Sequence, residues 1–405
     1  MNNKKIVLFG AGEIGKTIAT QRISCKLPIE FFVDNNSSLW GTTFNEIPIY
    51  SPDTLLNLNS NTVILLTANP NNIITITIQL EKMGLVKNNN FYVSYYEYCA
   101  DTWAKQTFHK CEKVRVVYGT SAKGKYLVKD ESENDFFLVI HNTIDILPKV
   151  SAESKILSTM APLDIGVPKI VDFGKVYSWG VYVLYEYIQG SNLFDVLACK
   201  NEKCQYELGI KAGRMLKKIH ALPIFKEGTD WVRLYSKTLI NTTYELFNTK
   251  TEVADFFYQY AKSNKHIVTN RPMSFVHGDY SCGNLIATNE NNLFCVDFDG
   301  LGYGDIYMDL ARLANTAASE ASFFSIGGLH GYFEGEPPND FWISMKFYSS
   351  VYAMQTLLAL LNKTILTPEI EKYYATIKNN LYQWIKSKKL IPEWYCDVKE
   401  NISNF

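Results

Sequence analysis

The sequence lacks several features that would assign it to a whole class of proteins at once. Its 405 residues include 40 lysines and arginines and 41 aspartates and glutamates, so no overall basic charge attracts nucleic acid. The eight cysteines form no C-x-x-C pair and no cluster, which argues against a zinc site or a disulfide framework. No apolar run approaches the length that spans a bilayer. We therefore expect a cytoplasmic globular protein with no nucleic-acid partner and no membrane insertion.

The most informative stretch of the chain runs from His277 to Ala311. Two short apolar runs flank a segment rich in turn formers, Thr288 to Asn292, and this pattern predicts a β-hairpin. Asp279 and Asn284 lie on the loop before the hairpin, and Asp297 lies on the loop after it. Because a hairpin brings its two ends together, we expect these side chains to converge. Oxygen ligands of this kind suit Mg²⁺, and a carboxylate beside the metal can accept the proton of an attacking hydroxyl.

The same stretch resembles the aminoglycoside phosphotransferase/choline kinase family. It contains H-G-D-x-x-x-x-N from His277 to Asn284, then D-F-D from Asp297, then G-D-x-x-x-D-L-A from Gly304. The resemblance implies a bilobal protein-kinase-like domain that binds ATP with Mg²⁺ between its lobes. It gives Asp279 the role of catalytic base and Asn284 and Asp297 the metal.

The resemblance also suggests roles for the neighbouring residues. Asp309 would be a buried brace for the loop that carries Asp279. His277 is a candidate catalytic residue, although a loop-orienting hydrogen bond suits it better than general-base chemistry. Asp299 and Asp305 fit a structural role as well as a catalytic one.

A small antiparallel lobe is expected before this region. Strands are predicted at 114–118, 126–129 and 136–141, with Gly119 and Gly124 in a loop that would cover the ATP phosphates. Backbone groups near Glu186 would meet the base of the nucleotide.

One residue of the family pattern is absent from this lobe. The family places a phosphate-binding lysine on the third strand, where this sequence has Val139. Lys125, Lys123 and His141 are candidate replacements, and Glu153 matches the helix glutamate that normally pairs with that lysine. Without such a cation the chain would be a nucleotide-binding pseudokinase.

The N-terminal region has a different pattern. A predicted strand at 5–9 is followed by G-x-G-x-x-G, with Gly10, Gly12 and Gly15, and a second strand ends at Asp34. These residues predict a Rossmann-like parallel sheet, with a phosphate at the glycines and ribose hydroxyls at Asp34. The ligand would be a nucleotide, a nucleotide-sugar or NAD(P), as in the small N-terminal domains of surface-polysaccharide enzymes that this region resembles. An empty scaffold that serves assembly is the alternative.

After the catalytic stretch, helices are predicted at 310–321 and 341–361. Aromatic and methionine side chains of the second helix either wall an acceptor pocket or fill the core: Trp342, Tyr348, Tyr352 and Met354. The glycine-rich segment Gly327–Glu336 is predicted to be a loop that faces the acceptor.

Together these patterns predict a Rossmann-like domain at 1–108, a kinase-like N-lobe at 112–190 and a C-lobe at 191–405, with the catalytic core at 277–311. The predicted activity is transfer of the ATP γ-phosphate to a small-molecule alcohol. The alcohol would be a sugar, an amino alcohol or a nucleotide-linked glycan precursor of surface-polysaccharide metabolism. A pseudokinase and an NAD(P)-dependent oxidoreductase are the alternatives; phosphate transfer that depends on Asp297 would exclude the first. Failure of residues 1–108 to bind NAD(P)H would exclude the second.

Overall fold

The chain folds into two compact units. The computed structural model describes residues 4–24, 29–114, 124–141, 143–176, 180–223, 252–269, 271–317, 321–361, 375 and 377–402. One unit comprises Met1–Val150 and Val171–Glu186, and the other comprises Ser151–Ile170 and Tyr187–Phe405. The three-domain division expected from the sequence stays a prediction.

The first unit begins with a six-stranded sheet of order β3-β4-β2-β1-β5-β6. Its strands are β1 (Lys5–Phe9), β2 (Ile29–Val33), β3 (Thr43–Phe44), β4 (Ile47–Tyr50), β5 (Thr62–Leu66) and β6 (Phe91–Tyr92). The edge pair β3–β4 is antiparallel, whereas β4, β2, β1, β5 and β6 pair in parallel. The sheet is therefore mixed, and the fully parallel sheet expected from the sequence is not confirmed. Three helices accompany it: α1 (Glu13–Ser24), α2 (Pro70–Lys82) and α3 (Tyr95–Thr107).

A second, five-stranded sheet follows in the same unit, with the order β10-β11-β9-β8-β7. Its strands are β7 (Lys110–Lys113), β8 (Gly124–Lys129), β9 (Asp135–His141), β10 (Ile170–Val176) and β11 (Gly180–Glu186). Strands β7, β8, β9 and β11 pair antiparallel, as expected for the small lobe. The strand predicted at 114–118 and the loop glycine Gly119 lie outside the described residues, apart from Val114.

Helix α3 belongs to the cores of both sheets. Its Cys99 packs with Leu8 and Phe32 of the first sheet. Its Ala100 and Ala104 pack in a separate cluster with residues of the second sheet, among them Tyr126 and Leu138. Because the two faces of one helix are buried against different sheets, α3 joins the N-terminal region to the antiparallel lobe.

The second unit is mainly helical. Its helices, with α4 at the boundary between the units, are α4 (Leu147–Met160), α5 (Leu193–Leu197), α6 (Glu202–His220), α7 (Glu252–Asn264), α8 (Ile306–Ala317), α9 (Ser322–Phe333), α10 (Asn339–Leu361), α11 (Gln383–Lys386) and α12 (Glu393–Ile402). Its short strands are β12 (Ser191–Asn192), β13 (Met273–Val276), β14 (Leu285–Ala287), β15 (Leu293–Cys295) and β16 (Gly302–Asp305). The antiparallel pairing of β14 with β15 confirms the predicted hairpin. In the part of the chain that the structure describes, no helix has the length and apolar character to cross a membrane.

The glycine-rich segment after α8 was predicted wrongly as a loop. It is helical through Phe333 and packs against α6. A methyl group on Gly209 of α6 would overlap the carbonyl oxygen of Phe324, and one on Gly213 would overlap that of Gly328. Glycines therefore let these two helix backbones approach closely, and the segment belongs to the core.

The aromatic helix α10 also contributes mainly to the core. Trp342, Tyr348 and Met354 are buried almost completely. Tyr352 is only partly buried, and its hydroxyl donates to the backbone carbonyl of Met308 on α8 at 3.2 Å. Among the four candidate lining residues, Tyr352 is thus the one that the fold leaves partly open.

Candidate active site

The loop between β13 and β14 carries His277, Gly278 and Asp279. Asp309, on the first turn of α8, is fully buried and accepts the backbone N–H groups of His277 at 2.7 Å and Gly278 at 2.9 Å. Its Oδ2 also lies 3.2 Å from Nε2 of His220. A buried carboxylate is stable only when its lone pairs are satisfied, and here the loop backbone satisfies them. The predicted role of Asp309 as a brace is confirmed.

The imidazole of His277 is turned into the fold. It is fully buried, and its Nδ1 accepts the backbone N–H of Asp279 at 3.2 Å. Burial lowers the pKa of this histidine, more than the neighbouring carboxylates Asp309 and Asp279 raise it. A neutral, buried ring suits the shaping of the loop rather than proton transfer to a substrate.

The Asp279 carboxylate is partly exposed and is held on both oxygens. Asn284 Nδ2 donates to Asp279 Oδ2 at 3.0 Å and to the Asp279 carbonyl at 2.9 Å. Arg312 Nε donates to Oδ1 at 2.7 Å. Since the amide nitrogen of Asn284 faces Asp279, its amide oxygen points away from that carboxylate. A carboxylate oxygen has room for a second hydrogen bond, so Asp279 can still accept from an incoming hydroxyl.

Asp297 follows β15 and begins a second loop. Its backbone is left-handed, with φ 65° and ψ 67°, a conformation that is uncommon outside glycine and recurs at functional sites. Gly278 also has a positive φ, of 86°, and a methyl group on it would overlap the carbonyl oxygen of Gly300. The rings of His277 and Phe298 are 4.8 Å apart. The loops that carry Asp279 and Asp297 therefore pack directly against each other, as the hairpin predicted.

Asp305 has a structural role. It is fully buried, and its Oδ2 accepts from Arg271 Nε and from the hydroxyl of Tyr348, each at 2.9 Å. Arg271 also lies 3.9 Å from the ring centroid of Tyr307. These contacts fix the junction between β16 and α8, and they leave Asp305 inside the fold.

In the first unit, the register of β8 and β9 shows where Lys125 lies relative to the position of the missing lysine. Lys125 of β8 is directly opposite Val139 of β9. Directly paired residues of an antiparallel ladder project to the same face. Lys125 therefore shares a face with the position where the family pattern has its lysine. Gly124 begins β8 just before it.

The other predicted nucleotide-binding residues are distributed over two elements. Glu186 ends β11 and is exposed. Glu153 lies on α4 and belongs to the second unit. Both positions stay predictions for ATP binding.

The N-terminal glycine loop joins β1 to α1. Asp34 Oδ2 accepts the backbone N–H of Ala11, within this loop, at 2.7 Å, and Oδ1 accepts that of Asn36 at 2.8 Å. A methyl group on Gly15 would overlap the carbonyl oxygen of Gly10, whereas nothing lies within 4 Å of one on Gly12. Asp34 thus shapes the loop in this structure, and Gly12 leaves open space beside the start of α1.

The contact of Arg312 with the Asp279 carboxylate was not predicted from the sequence. It lies three residues after Asp309 on α8, and residues at that spacing share a helix face. Since Asp309 was expected to face the loop, the helix period was the signal that could have identified Arg312.

Two protein-family models match parts of the chain. The model of the phosphotransferase enzyme family matches residues 115–342, and that of a family described as C2185-like, N-terminal matches residues 2–89. No curated protein shows significant sequence similarity to the chain.

Solved structures share the fold at low sequence identity. An amicoumacin kinase in complex with AMP-PNP, Ca²⁺ and Ami has a TM-score of 0.53 at 15% identity, covering 75% of this chain and 97% of its own. A choline/ethanolamine kinase family protein from Mesorhizobium loti has a TM-score of 0.52 at 14% identity, and the match covers 72% of this chain and 96% of that protein. The aminoglycoside phosphotransferase APH(4)-Ia has a TM-score of 0.52 at 12% identity, and the match covers 71% of this chain and 95% of that protein.

Proposed function

The chain belongs to the phosphotransferase enzyme family and is a small-molecule kinase acting on a hydroxyl group, and we propose that its acceptor is a sugar, an amino alcohol or a nucleotide-linked glycan precursor. The observation that carries the catalytic part is the hydrogen bond between Asn284 and Asp279, on a loop braced by Asp309. The loop of Asp297 packs against this loop through Gly278 and Gly300.

Asp279 is the proposed catalytic base. Its carboxylate is partly exposed, so an acceptor hydroxyl can reach it, unlike the buried carboxylates Asp305 and Asp309. By accepting the hydroxyl proton as the oxygen attacks the γ-phosphorus, it would raise the nucleophilicity of the acceptor, while the bond from the γ-phosphorus to the bridging oxygen breaks and ADP leaves. His277 would orient the loop through its contact with the Asp279 N–H.

Asn284 and Asp297 are the proposed ligands of Mg²⁺. An amide oxygen and a carboxylate are the hard donors that Mg²⁺ prefers. The described residues contain no cluster of three or more histidine, cysteine or acidic side chains suited to a metal. This fits an ion whose remaining ligands are ATP phosphates and water. When bound, the ion would supply neutralisation of phosphate charge.

The nucleotide is proposed to be ATP, held in part by the antiparallel lobe. Lys125 would place its ammonium against the phosphates in the role left open by Val139. Gly124, the first residue of β8, would lie at the end of the segment that covers the phosphates. The backbone near Glu186 would meet the base.

The N-terminal sheet is proposed to be a Rossmann-like domain that binds a nucleotide, a nucleotide-sugar or NAD(P). The open space at Gly12, beside the start of α1, suits a phosphate group. The link to surface polysaccharides rests on the resemblance of this region alone. A cytoplasmic location is part of the proposal, and the free cysteines among the described residues fit it.

The test is ATP consumption with Mg²⁺ across a panel of sugars, amino alcohols, aminoglycosides and nucleotide-sugars. We expect one class to stimulate turnover and Asp279→Asn to abolish it while ATP binding is retained. Undiminished turnover by Asp279→Asn would refute the base assignment. Absence of ATP binding by the wild-type chain would refute the assignment of ATP as its nucleotide.

A further inference from the structure

The carboxylate of Asp279 is held by two side chains from different elements. Asn284, on the same loop, holds Oδ2 at 3.0 Å, and Arg312, on α8, holds Oδ1 at 2.7 Å. Two donors on opposite oxygens define the plane of a carboxylate, which a single donor does not. Asn284 is already proposed as a metal ligand, so Arg312 is the contact whose purpose is not yet assigned.

Arg312 is itself restrained. Its guanidinium carbon lies 5.0 Å from the ring centroid of Tyr352, and the Tyr352 hydroxyl donates to the carbonyl of Met308 at 3.2 Å. Met308 and Arg312 are one helical turn apart on α8, whereas Tyr352 comes from α10. The aromatic ring is therefore tied to the helix that carries the arginine. A guanidinium that lies over the face of a fixed ring is preorganised and loses little freedom in forming its hydrogen bond.

The strength of the ion pair does not explain this arrangement. The side chains of Arg312 and Asp279 are 28% and 44% exposed. Water screens an ion pair that is exposed to this degree, so its contribution to stability is small. The Arg271–Asp305 pair has the same chemistry, an Nε donor to a carboxylate and a stacked tyrosine, but its carboxylate is fully buried. The two pairs should therefore differ in what they support.

We propose that Arg312 is the positioning residue of the catalytic base. This inference rests on the proposed role of Asp279. Arg312, steadied by Tyr352, fixes the rotation of the Asp279 carboxylate so that a lone pair faces the acceptor hydroxyl. Catalysis is sensitive to such orientation, because a small misplacement of a reacting group removes much of the rate advantage of a preassembled site.

The test compares Arg312→Ala, Arg312→Lys, Arg271→Ala and Asp279→Asn in the full-length chain. The measured quantities are kcat, KM for ATP and the melting temperature. Mg²⁺-ATP turnover is followed with the best acceptor of the panel, or with water as the acceptor. We expect Arg312→Ala to lower kcat by roughly 10- to 100-fold with KM for ATP within about twofold. Its melting temperature should stay close to that of the wild type.

The matched variant Arg271→Ala should behave in the opposite way. It leaves the buried Asp305 without its cation, so the melting temperature falls while kcat of the folded protein is kept. Arg312→Lys should recover only part of kcat, since an ammonium cannot reproduce the planar Nε contact. Guanidinium ion at low concentration should partly restore Arg312→Ala and leave Asp279→Asn inactive.

Two results would overturn the inference. The first is wild-type kcat for Arg312→Ala alongside an inactive Asp279→Asn, which would retain the base and remove the positioning role. The second is a parallel loss of melting temperature and activity in Arg312→Ala without rescue by guanidinium, which would make the pair structural. Wild-type turnover by Asp279→Asn would instead refute the proposed function on which the inference rests.

Discussion

Lys125 of β8 is directly paired with Val139 of β9. Lys125 therefore lies beside the position where the family pattern has its lysine. Successive side chains of a strand point to opposite faces of the sheet, so the side chains of Lys125 and Tyr126 lie on opposite faces. Tyr126 packs in the cluster that contains Ala100 and Ala104 of α3. The Lys125 side chain therefore projects from the face of the sheet that α3 does not cover. A lysine on the neighbouring strand can therefore occupy the same face of the sheet as the lysine of the family pattern.

This relationship predicts the outcome of a charge relocation. Lys125→Ala should reduce kcat/KM for ATP by roughly 10-fold or more, because a cation against the phosphates is lost. Adding Val139→Lys to that variant should restore part of the loss, since the new ammonium starts from the adjacent backbone position. The control is Lys129→Ala, on the same strand, whose ammonium binds Asp135 at 2.7 Å and should leave ATP turnover unchanged. Wild-type kinetics for Lys125→Ala would refute the assignment and favour His141 or Lys123.

Gly278 offers a second prediction, about the contact between the loops that carry Asp279 and Asp297. Gly278→Ala combines a positive φ with an overlap at the carbonyl of Gly300, so the Asp279 loop must shift away from the Asp297 loop. Displacement of reacting groups by about 1 Å can cost roughly 100-fold in rate, and we expect a fall in kcat of that order. Gly283→Ala is the matched control, because a methyl group there meets only Ser281 Oγ at 3.7 Å. Equal activities of the two variants would contradict the packing argument.

The parts of this fold that could be read from the sequence are those with local causes. The strand at 5–9 was predicted with the bounds that the structure has, because a buried strand is a continuous apolar run. The hairpin was predictable because turn formers separate its strands. The brace formed by Asp309 followed from the resemblance, which supplied the tertiary contact that spacing alone does not give.

The parts that could not be read depend on partners distant in the chain. In the sequence alone, the glycines of α9 are typical of a loop. Their role is apparent only from the packing against α6, where two helix backbones approach closely. The pairing of Lys125 with Val139 depends on strand register. The contact of Arg312 with Asp279 joins residues that are 33 apart in the sequence. Sequence patterns identify faces and turns, whereas these contacts require the assembled unit.

Tyr126 provides a stability prediction for the helix shared by the two sheets. Its hydroxyl donates to the buried carboxylate of Asp101 on α3 at 2.5 Å. Tyr126→Phe leaves that carboxylate short of one donor, which should lower the free energy of unfolding by about 1–3 kcal/mol. In the control Tyr182→Phe, the lost partner Asp172 is exposed and can bind water, so the change should stay within about 0.5 kcal/mol. Urea unfolding of the full chain measures both, and equal losses would show that burial of Asp101 does not matter.

His330 predicts how stability depends on pH. Its ring lies between two tyrosine hydroxyls, with Nδ1 3.0 Å from Tyr206 and Nε2 2.9 Å from Tyr395. Burial lowers the pKa of His330, and the nearby Glu336 only partly opposes this effect. An unfolded histidine has a pKa of about 6.5, so below that pH the unfolded state binds more protons than the folded state. The contribution of His330 to stability is therefore present above that pH and is lost as the pH falls through its folded pKa.

The measurement is the free energy of unfolding in urea at several pH values on both sides of neutrality. The wild-type protein should lose stability as the pH falls below about 6.5, and His330→Asn should lose less over the same interval because its side chain does not titrate. His266→Asn serves as the control for the substitution itself, since that histidine is exposed. An identical pH dependence of the wild type and His330→Asn would mean that burial between Tyr206 and Tyr395 does not shift the titration of this ring. A flatter curve for His330→Asn than for the wild type and His266→Asn would assign part of the loss of stability in acid to the junction of α6, α9 and α12.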